Sequence, residues 1–376
     1  MEKKNSIFNF GQYFTASTVK KDLPASIVVF LVALPLCLGI ALASGAPLFA
    51  GILTGVIGGI VVASISGSQL SVSGPAAGLT VIVFGAIASL GNYETFLLAV
   101  VLAGILQIFL GILKAGIIAN YFPSAVIEGM LAAIGVILIL KQIPHAVGFD
   151  SDFEGDESFL QLNHENTFSA LLSSLDMISY GAVIISVLSI LIMIYWPGIK
   201  KLSAIPAAIL VVILGIVLST VFQNTALALS PEQLVTIPVV NSYNEFMALF
   251  VFPDFGQIGN KEVWTVAFTI AIVASIETLL SIEAVDKMDP YKRVSPTNRE
   301  LVAQGIGNMT SGLLGGLPMT SVIVRSSVNV NSGGKSKMGA IYHGFWLLLS
   351  LLFIPFLLNK IPLASLAAIL LITGYK

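Results

Sequence analysis

Two ionisable residues sit in apolar surroundings where ionisable residues are rare. Arg325 lies in SVIVRSSVNV, and Glu277 in VAFTIAIVASIETLLSIEAVDKMD. A charge held at mid-membrane is costly unless it is paired or solvated. Arg325 therefore either pairs with a buried acid, snorkels to the cytoplasmic edge, or supplies positive potential to a bound anion. Its surroundings favour the anion. Pro75 and Pro318 each precede a short β-branched and apolar run, in QLSVSGPAAGLTVIV and GGLPMTSVIV. A helix that begins after such a break leaves its first N–H groups without partners, and helix N-termini of this kind bind anions. The expected anion site is Ser73, Ala76, Thr80, Thr320, Ser321 and Arg325: four hydroxyls, the backbone at a helix start, and one fixed positive charge. Glu277 and Ser281 are four residues apart and share a helical face. A carboxylate and a hydroxyl facing a cavity can hold Na⁺ as hard oxygen ligands. The same acid could instead carry a proton, or pair with Arg325 and bind no ion. Glu283 and Glu128 fall nearer the membrane surface.

These residues must be positioned by membrane-spanning segments. Hydrophobic residues make up 56% of the 376 residues and charged residues 10%, and the mean hydropathy is +0.95. A soluble fold could not hide that much apolar surface, so lipid is the solvent for most of it. Apolar stretches recur near 25–44, 48–66, 74–90, 94–113, 123–142, 178–196, 205–223, 262–285, 299–315, 317–331, 339–358 and 361–374. Residues 168–177 read as a short amphipathic helix at the membrane interface. The polar N-terminus lacks a cleavage signature and reads as a cytoplasmic arm, residues 1–23. With that end inside, the positive-inside rule puts Lys20, Lys21, Lys114, Lys200, Lys201, Lys287, Lys292, Arg293, Arg299, Lys335 and Lys337 in cytoplasmic loops. The acids Asp150, Asp152, Glu154, Asp156 and Glu157 then fall outside. The protein is expected to be a multi-pass protein of the cell (inner) membrane.

The third and tenth stretches are broken by Gly and Pro, at matching places in two halves. Irregular backbone at membrane depth survives only where it is buried in protein or lines a cavity, and such a matched pair points to a transporter site. The expected organisation is an all-α polytopic fold of inverted repeats, 24–223 and 262–376, joined by an outer loop at 224–261. Short extended segments would precede half-helices in spans three and ten. One cysteine, Cys37, excludes an internal disulfide and a Cys-based metal site. No basic run suggests nucleic acid, no cofactor motif is present, and no Walker A, HExxH or nucleophile-elbow pattern suggests an enzyme.

DLPASIVVFLVALPLCLGIALASGAPLFAGILTGVIGGIV, QLSVSGPAAGLTVIV, and SIETLLSIEAVDKMD followed by NRELVAQGIGNMTSGLLGGLPMTSVIVRSSVNVNSGGKSKMGA together resemble the sulfate permease (SulP) family of anion transporters, from about residue 20 onward. The resemblance implies two inverted seven-span repeats, divided into a core domain (spans 1–4 and 8–11) and a gate domain that move in an elevator-like manner, usually in a homodimer. It implies an anion between the half-helices of spans three and ten, with Arg325 matching an arginine that many members carry. It also implies that Glu277 and Ser281 match the Na⁺ site of bicarbonate-transporting members, with Glu in place of their Asp. The family has fourteen spans and a cytoplasmic STAS domain, whereas this sequence stops after the twelfth span, so either the chain is a fragment or its gate domain is incomplete. The functional expectation is a secondary transporter of a small inorganic anion, bicarbonate or sulfate, coupled to Na⁺ or H⁺. The alternatives are an anion channel or exchanger without cation coupling, and a nucleobase transporter. Arg325 disfavours the latter, whose members use acids in both spans eight and ten.

Overall fold

The computed structural model describes residues 16–121, 123–150, 166–198, 206–236, 243–353 and 355–375. Most of the expected N-terminal arm, the acids at 152–157 and the Lys200–Lys201 pair lie outside the described residues.

Helix α1 (Ala16–Ala43) leads to α2 (Leu48–Ile57), which passes through a π turn (Gly58–Val62) into α3 (Ala63–Ile65). Strand β1 (Ser73–Pro75) and a 3₁₀ turn (Ala77–Leu79) precede α4 (Thr80–Leu90). Gly91, at φ 79°, ends α4 in the left-handed region, and the Asn92 side chain caps α5 (Tyr93–Ile112) by accepting from Thr95 N. Then come α6 (Ser124–Val147), α7 (Thr167–Asp176), α8 (Tyr180–Tyr195) and α9 (Ala207–Phe222). The rest of the chain forms α10 (Tyr243–Ala248), α11 (Lys261–Met288), α12 (Thr297–Leu314), β2 (Met319–Ser321), α13 (Ile323–Asn331), α14 (Met338–Phe353), α15 (Pro355–Leu358) and α16 (Leu363–Tyr375).

Burial is inverted relative to a water-soluble protein. In α8 the small and polar Gly181, Ala182, Ser186 and Ser189 are buried, while Ile184, Val187, Leu188, Leu191 and Ile194 are exposed. That pattern is stable only when the surrounding solvent is apolar. On α7 the exposed Phe168, Leu172 and Leu175 form one stripe, as expected of a helix lying at the interface. Among the described residues, five helices are long and apolar enough to cross a membrane, and five shorter helices are apolar.

Ten of the twelve expected spans coincide with these helices. The other two are α12 and α13. Each is too polar to be recognised by hydropathy, because α12 carries Arg299, Glu300, Gln304, Asn308 and Ser311, and α13 carries Arg325, Ser326 and Asn329. With nine residues, α13 is about 14 Å long, half a hydrocarbon core.

The helices pack in two groups. In the first, α1 packs against α2 and α14, and α5 against α11 and α12. The α5–α12 contact is close because glycines face backbone on both sides: a Cβ at Gly104 would strike Met309 N and Gly305 O, and one at Gly305 would strike Gly104 O. In the second group, α16 packs on α6 and α8, and α8 on α9.

Candidate anion site at two crossing strands

The two strands pair antiparallel, with Ser73 opposite Ser321, Gly74 opposite Thr320 and Pro75 opposite Met319. Antiparallel pairing sends the two following helices away from opposite ends of the ribbon. Their N-termini therefore face each other near the crossing. Strands of three residues are not self-sustaining, and unpaired backbone edges at this depth would be costly. Side chains occupy those edges. Asn308 of α12 grips Met319 from both sides: its Oδ1 accepts from Met319 N at 2.7 Å, and its Nδ2 donates to Met319 O at 3.1 Å. Ser321 N donates to Thr278 Oγ1 at 3.4 Å. Ser326 Oγ accepts from Val72 N at 2.9 Å, Asn329 Nδ2 donates to Leu70 O at 3.0 Å, and Val322 N donates to Val72 O.

A cavity of about 120 Å³ opens where the helices meet. Ala77 and Gly78 reach it from the start of α4, Val322, Ile323, Val324 and Arg325 from α13, and Glu277 and Ser281 from α11. Leu36 and Ile40 of α1, with Ile134 of α6, form apolar walls. Arg325 is wholly buried. Its Nη2 donates to Pro75 O at 3.5 Å, and its Nε and Nη1 have no hydrogen-bond partner among the described residues. A guanidinium has five N–H donors, and leaving several unmet in a low-dielectric interior is costly unless an acceptor arrives. Two glycines make room for the charged groups: a Cβ at Gly74 would strike Arg325 Nη1, and one at Gly78 would press on the Glu277 carboxylate.

The residues expected from the sequence separate into two sets. Arg325, Glu277 and Ser281 line the cavity together. Thr320 lies next to it and donates from Oγ1 to Glu277 Oε1 at 3.2 Å. Ser73 Oγ accepts from Gln304 Nε2 at 2.6 Å, and the Ser321 hydroxyl bonds that of Ser71 at 2.6 Å, so both hydroxyls hold the strands. Ala76 is extended and buried just ahead of the 3₁₀ turn, and the buried Thr80 hydroxyl has no hydrogen-bond partner among the described residues. The helix starts that reach the cavity are thus Ala77–Gly78 and Val322–Val324, one to three residues beyond the positions inferred from the prolines. After Pro318 the strand β2 causes the shift, whereas Pro75 ends β1 and the extended Ala76 separates it from the 3₁₀ turn.

Sequence reasoning passed over Gln304, Asn308, Thr278 and the wholly buried His343, whose ring nitrogens have no partner among the described residues. A signal was present for α12: Glu300, Gln304 and Asn308 recur at four-residue intervals, a polar stripe along one helical face.

At one end of the first helix group, the expected cytoplasmic charges meet. Asp22 accepts from Lys335 N, Ser336 N and Ser336 Oγ, and Arg293 Nη1 donates to Lys335 O. Arg299 Nε donates to Ile65 O, and Lys337 Nζ to Ser64 O and Ser66 O, at the C-terminal end of α3. Burial, with Arg299 nearby, pushes the Lys337 ammonium down to about 8, against the opposing pull of Glu300. At Asp289 burial acts upward, but hydrogen bonds from Arg293 and Tyr291 N and the Arg293 charge outweigh it and hold the carboxyl below its usual range.

With this geometry established, comparison with known proteins places the chain. The model of the sulfate permease family matches residues 19–376, and the protein belongs to that family. It is 32% identical over 360 residues to the putative sulfate transporter YvdB of Bacillus subtilis, covering 95% of this chain and 64% of that protein. It is 28% identical to the bicarbonate transporter BicA of Picosynechococcus, covering 93% of this chain and 60% of that protein. The chain thus spans about three-fifths of the length of these relatives, which are named as transporters and not as enzymes. The solved transmembrane domain of a cyanobacterial BicA superposes with a TM-score of 0.64 at 25% identity, covering 96% of this chain and 89% of that one. SLC26A9 superposes with a TM-score of 0.66 at 15% identity, covering 98% of this chain and 59% of that one, a likeness of fold.

Proposed function

We propose that the protein moves a small inorganic anion, bicarbonate or sulfate, across the cell membrane by secondary active transport. The observation that carries this reading is the buried Arg325, which lines a small cavity between two helix N-termini and has two donors without a partner among the described residues. Donors and positive potential converge there, and the nearest apolar walls exclude a large organic substrate. The anion would take its hydrogen bonds from Arg325 and from the backbone at Ala77–Gly78 and Val322–Val324.

Glu277 and Ser281 offer only oxygen ligands in the wall of the same cavity, and Thr320 adds a hydroxyl beside it. That set suits Na⁺ by hardness, and a proton on Glu277 would serve the same role. A cation there would neutralise the acid beside the incoming anion, and so favour joint occupancy. The first helix group would act as the moving core and the second as the gate, in an elevator-type cycle within a homodimer. The test is uptake of labelled bicarbonate and sulfate by the intact protein in liposomes, with and without Na⁺ and pH gradients. Arg325→Ala is expected to abolish saturable uptake, and Glu277→Gln to remove cation dependence. Gradient-independent flux in the unaltered protein would replace coupled transport with exchange or channel conduction.

A further inference from the structure

Helix α11 reaches strand β2 by more than one route. Glu277 accepts from Thr320 Oγ1, and Thr278 accepts from Ser321 N. A third route is longer and passes through two buried amides. Ser275 Oγ accepts from Gln107 Nε2 of α5 at 3.3 Å, Gln107 Oε1 accepts from Asn308 Nδ2 at 2.6 Å, and Asn308 grips the Met319 backbone. Gln107 and Asn308 are both wholly buried. The bonds form a closed ring: Glu277, Thr320, Met319, Asn308, Gln107, Ser275, and back along the two-residue step from Ser275 to Glu277 in α11.

A ring of this kind constrains how β2 can respond to Glu277. The Thr320 bond is strongest when Glu277 is an unshielded carboxylate, and weakens when a cation or proton claims its oxygens. A strand held only by β1 could absorb that change by sliding. Asn308 occupies both the N–H and the C=O of Met319, the residue next to Thr320, as a third strand would. The change is then passed along β2 into Val322–Arg325 at the start of α13. Resting on the reading of Glu277 as the cation site, we propose that Gln107 and Asn308 are positioning residues that couple the state of Glu277 to the anion cavity. Neither residue lines that cavity.

The test uses Gln107→Leu, which removes both relay bonds, Gln107→Glu, which keeps an acceptor for Asn308, and Asn308→Asp, which removes both donors. Anion KM and kcat are measured for the intact protein in liposomes, with and without Na⁺ and across pH, beside the melting temperature of each variant. Gln107→Leu and Asn308→Asp are expected to raise the anion KM about tenfold, the effect of losing one buried hydrogen-bond partner. They are also expected to bring the ratio of KM without to KM with cation toward one. In Gln107→Glu most of that ratio should return, while kcat per folded protein stays within about twofold of the parent, as the unaltered cavity requires. Unchanged KM and cation ratio in Gln107→Leu would overturn the proposal. So would a fall in melting temperature and kcat with KM untouched, since that marks a packing role alone. Glu277→Gln, run in parallel, separates the two readings: if it keeps its cation dependence, the cation site itself fails. If it loses that dependence while Gln107→Leu behaves as the parent, only the relay fails.

Discussion

At the scale of the residue, the site is defined as much by absent side chains as by charges. Gly74 lies opposite Thr320 in the ribbon, and the space where its Cβ would sit is occupied by Arg325 Nη1. A methyl there meets the far end of a flexible side chain, so the arginine moves and the backbone does not. Displacing a side chain from its rotamer well costs about 0.5–1.5 kcal/mol, which corresponds to about a two- to thirteenfold change in affinity. Gly74→Ala is therefore expected to fold normally and to raise the anion KM by that factor, as read by uptake kinetics. A normal KM in Gly74→Ala would mean that the guanidinium does not need its present position.

At the scale of the element, the pairing of α5 with α12 places the polar stripe of α12 against the strands. That pairing depends on backbone-to-backbone contact at Gly104 and Gly305. Overpacking a tight contact costs about 1–3 kcal/mol. Gly305→Ala is expected to lower the melting temperature in detergent accordingly. Gly85 of α4 is the control, because a Cβ there meets nothing within 4 Å. Gly85→Ala should hold or slightly raise stability, since alanine is the better helix former by about 0.5–1 kcal/mol.

At the scale of the whole molecule, the first helix group is stapled at one end by the Asp22, Asp289, Arg293, Arg299 and Lys337 contacts, whereas the two groups meet more lightly. One ion pair joins α11 to α6, Lys287 Nζ to Glu128 Oε1 at 3.6 Å, with Glu128 72% exposed. Exposed pairs contribute about 0–1 kcal/mol, too little to lock one group to the other. The staple is stronger, because Asp289 accepts from Tyr291 N, Arg293 N and the Arg293 guanidinium. Its pKa is lowered on folding, so the unfolded chain binds its proton first. Stability from this group is complete above the usual carboxylate range and falls as pH drops through the depressed folded value. Thermal unfolding across acidic pH should show this loss in the parent and a shallower slope in Asp289→Asn.

The sequence alone pointed to a chain that lives in lipid, to two broken segments that meet, and to Arg325, Glu277 and Ser281 as neighbours, which line one cavity. Composition, proline and glycine placement, and charges in apolar runs are local properties, and they survive without coordinates. The tertiary structure decided which donors face the cavity. The hydroxyls of Ser73 and Ser321 lay at the right depth along the chain but are taken by Gln304 and Ser71, pairings set by α12 lying against β1 and by the register of the two strands. The role of α12 was equally hidden. Its polar residues lower its hydropathy as a span, and only packing shows that Asn308 uses them to complete a sheet that two three-residue strands could not hold.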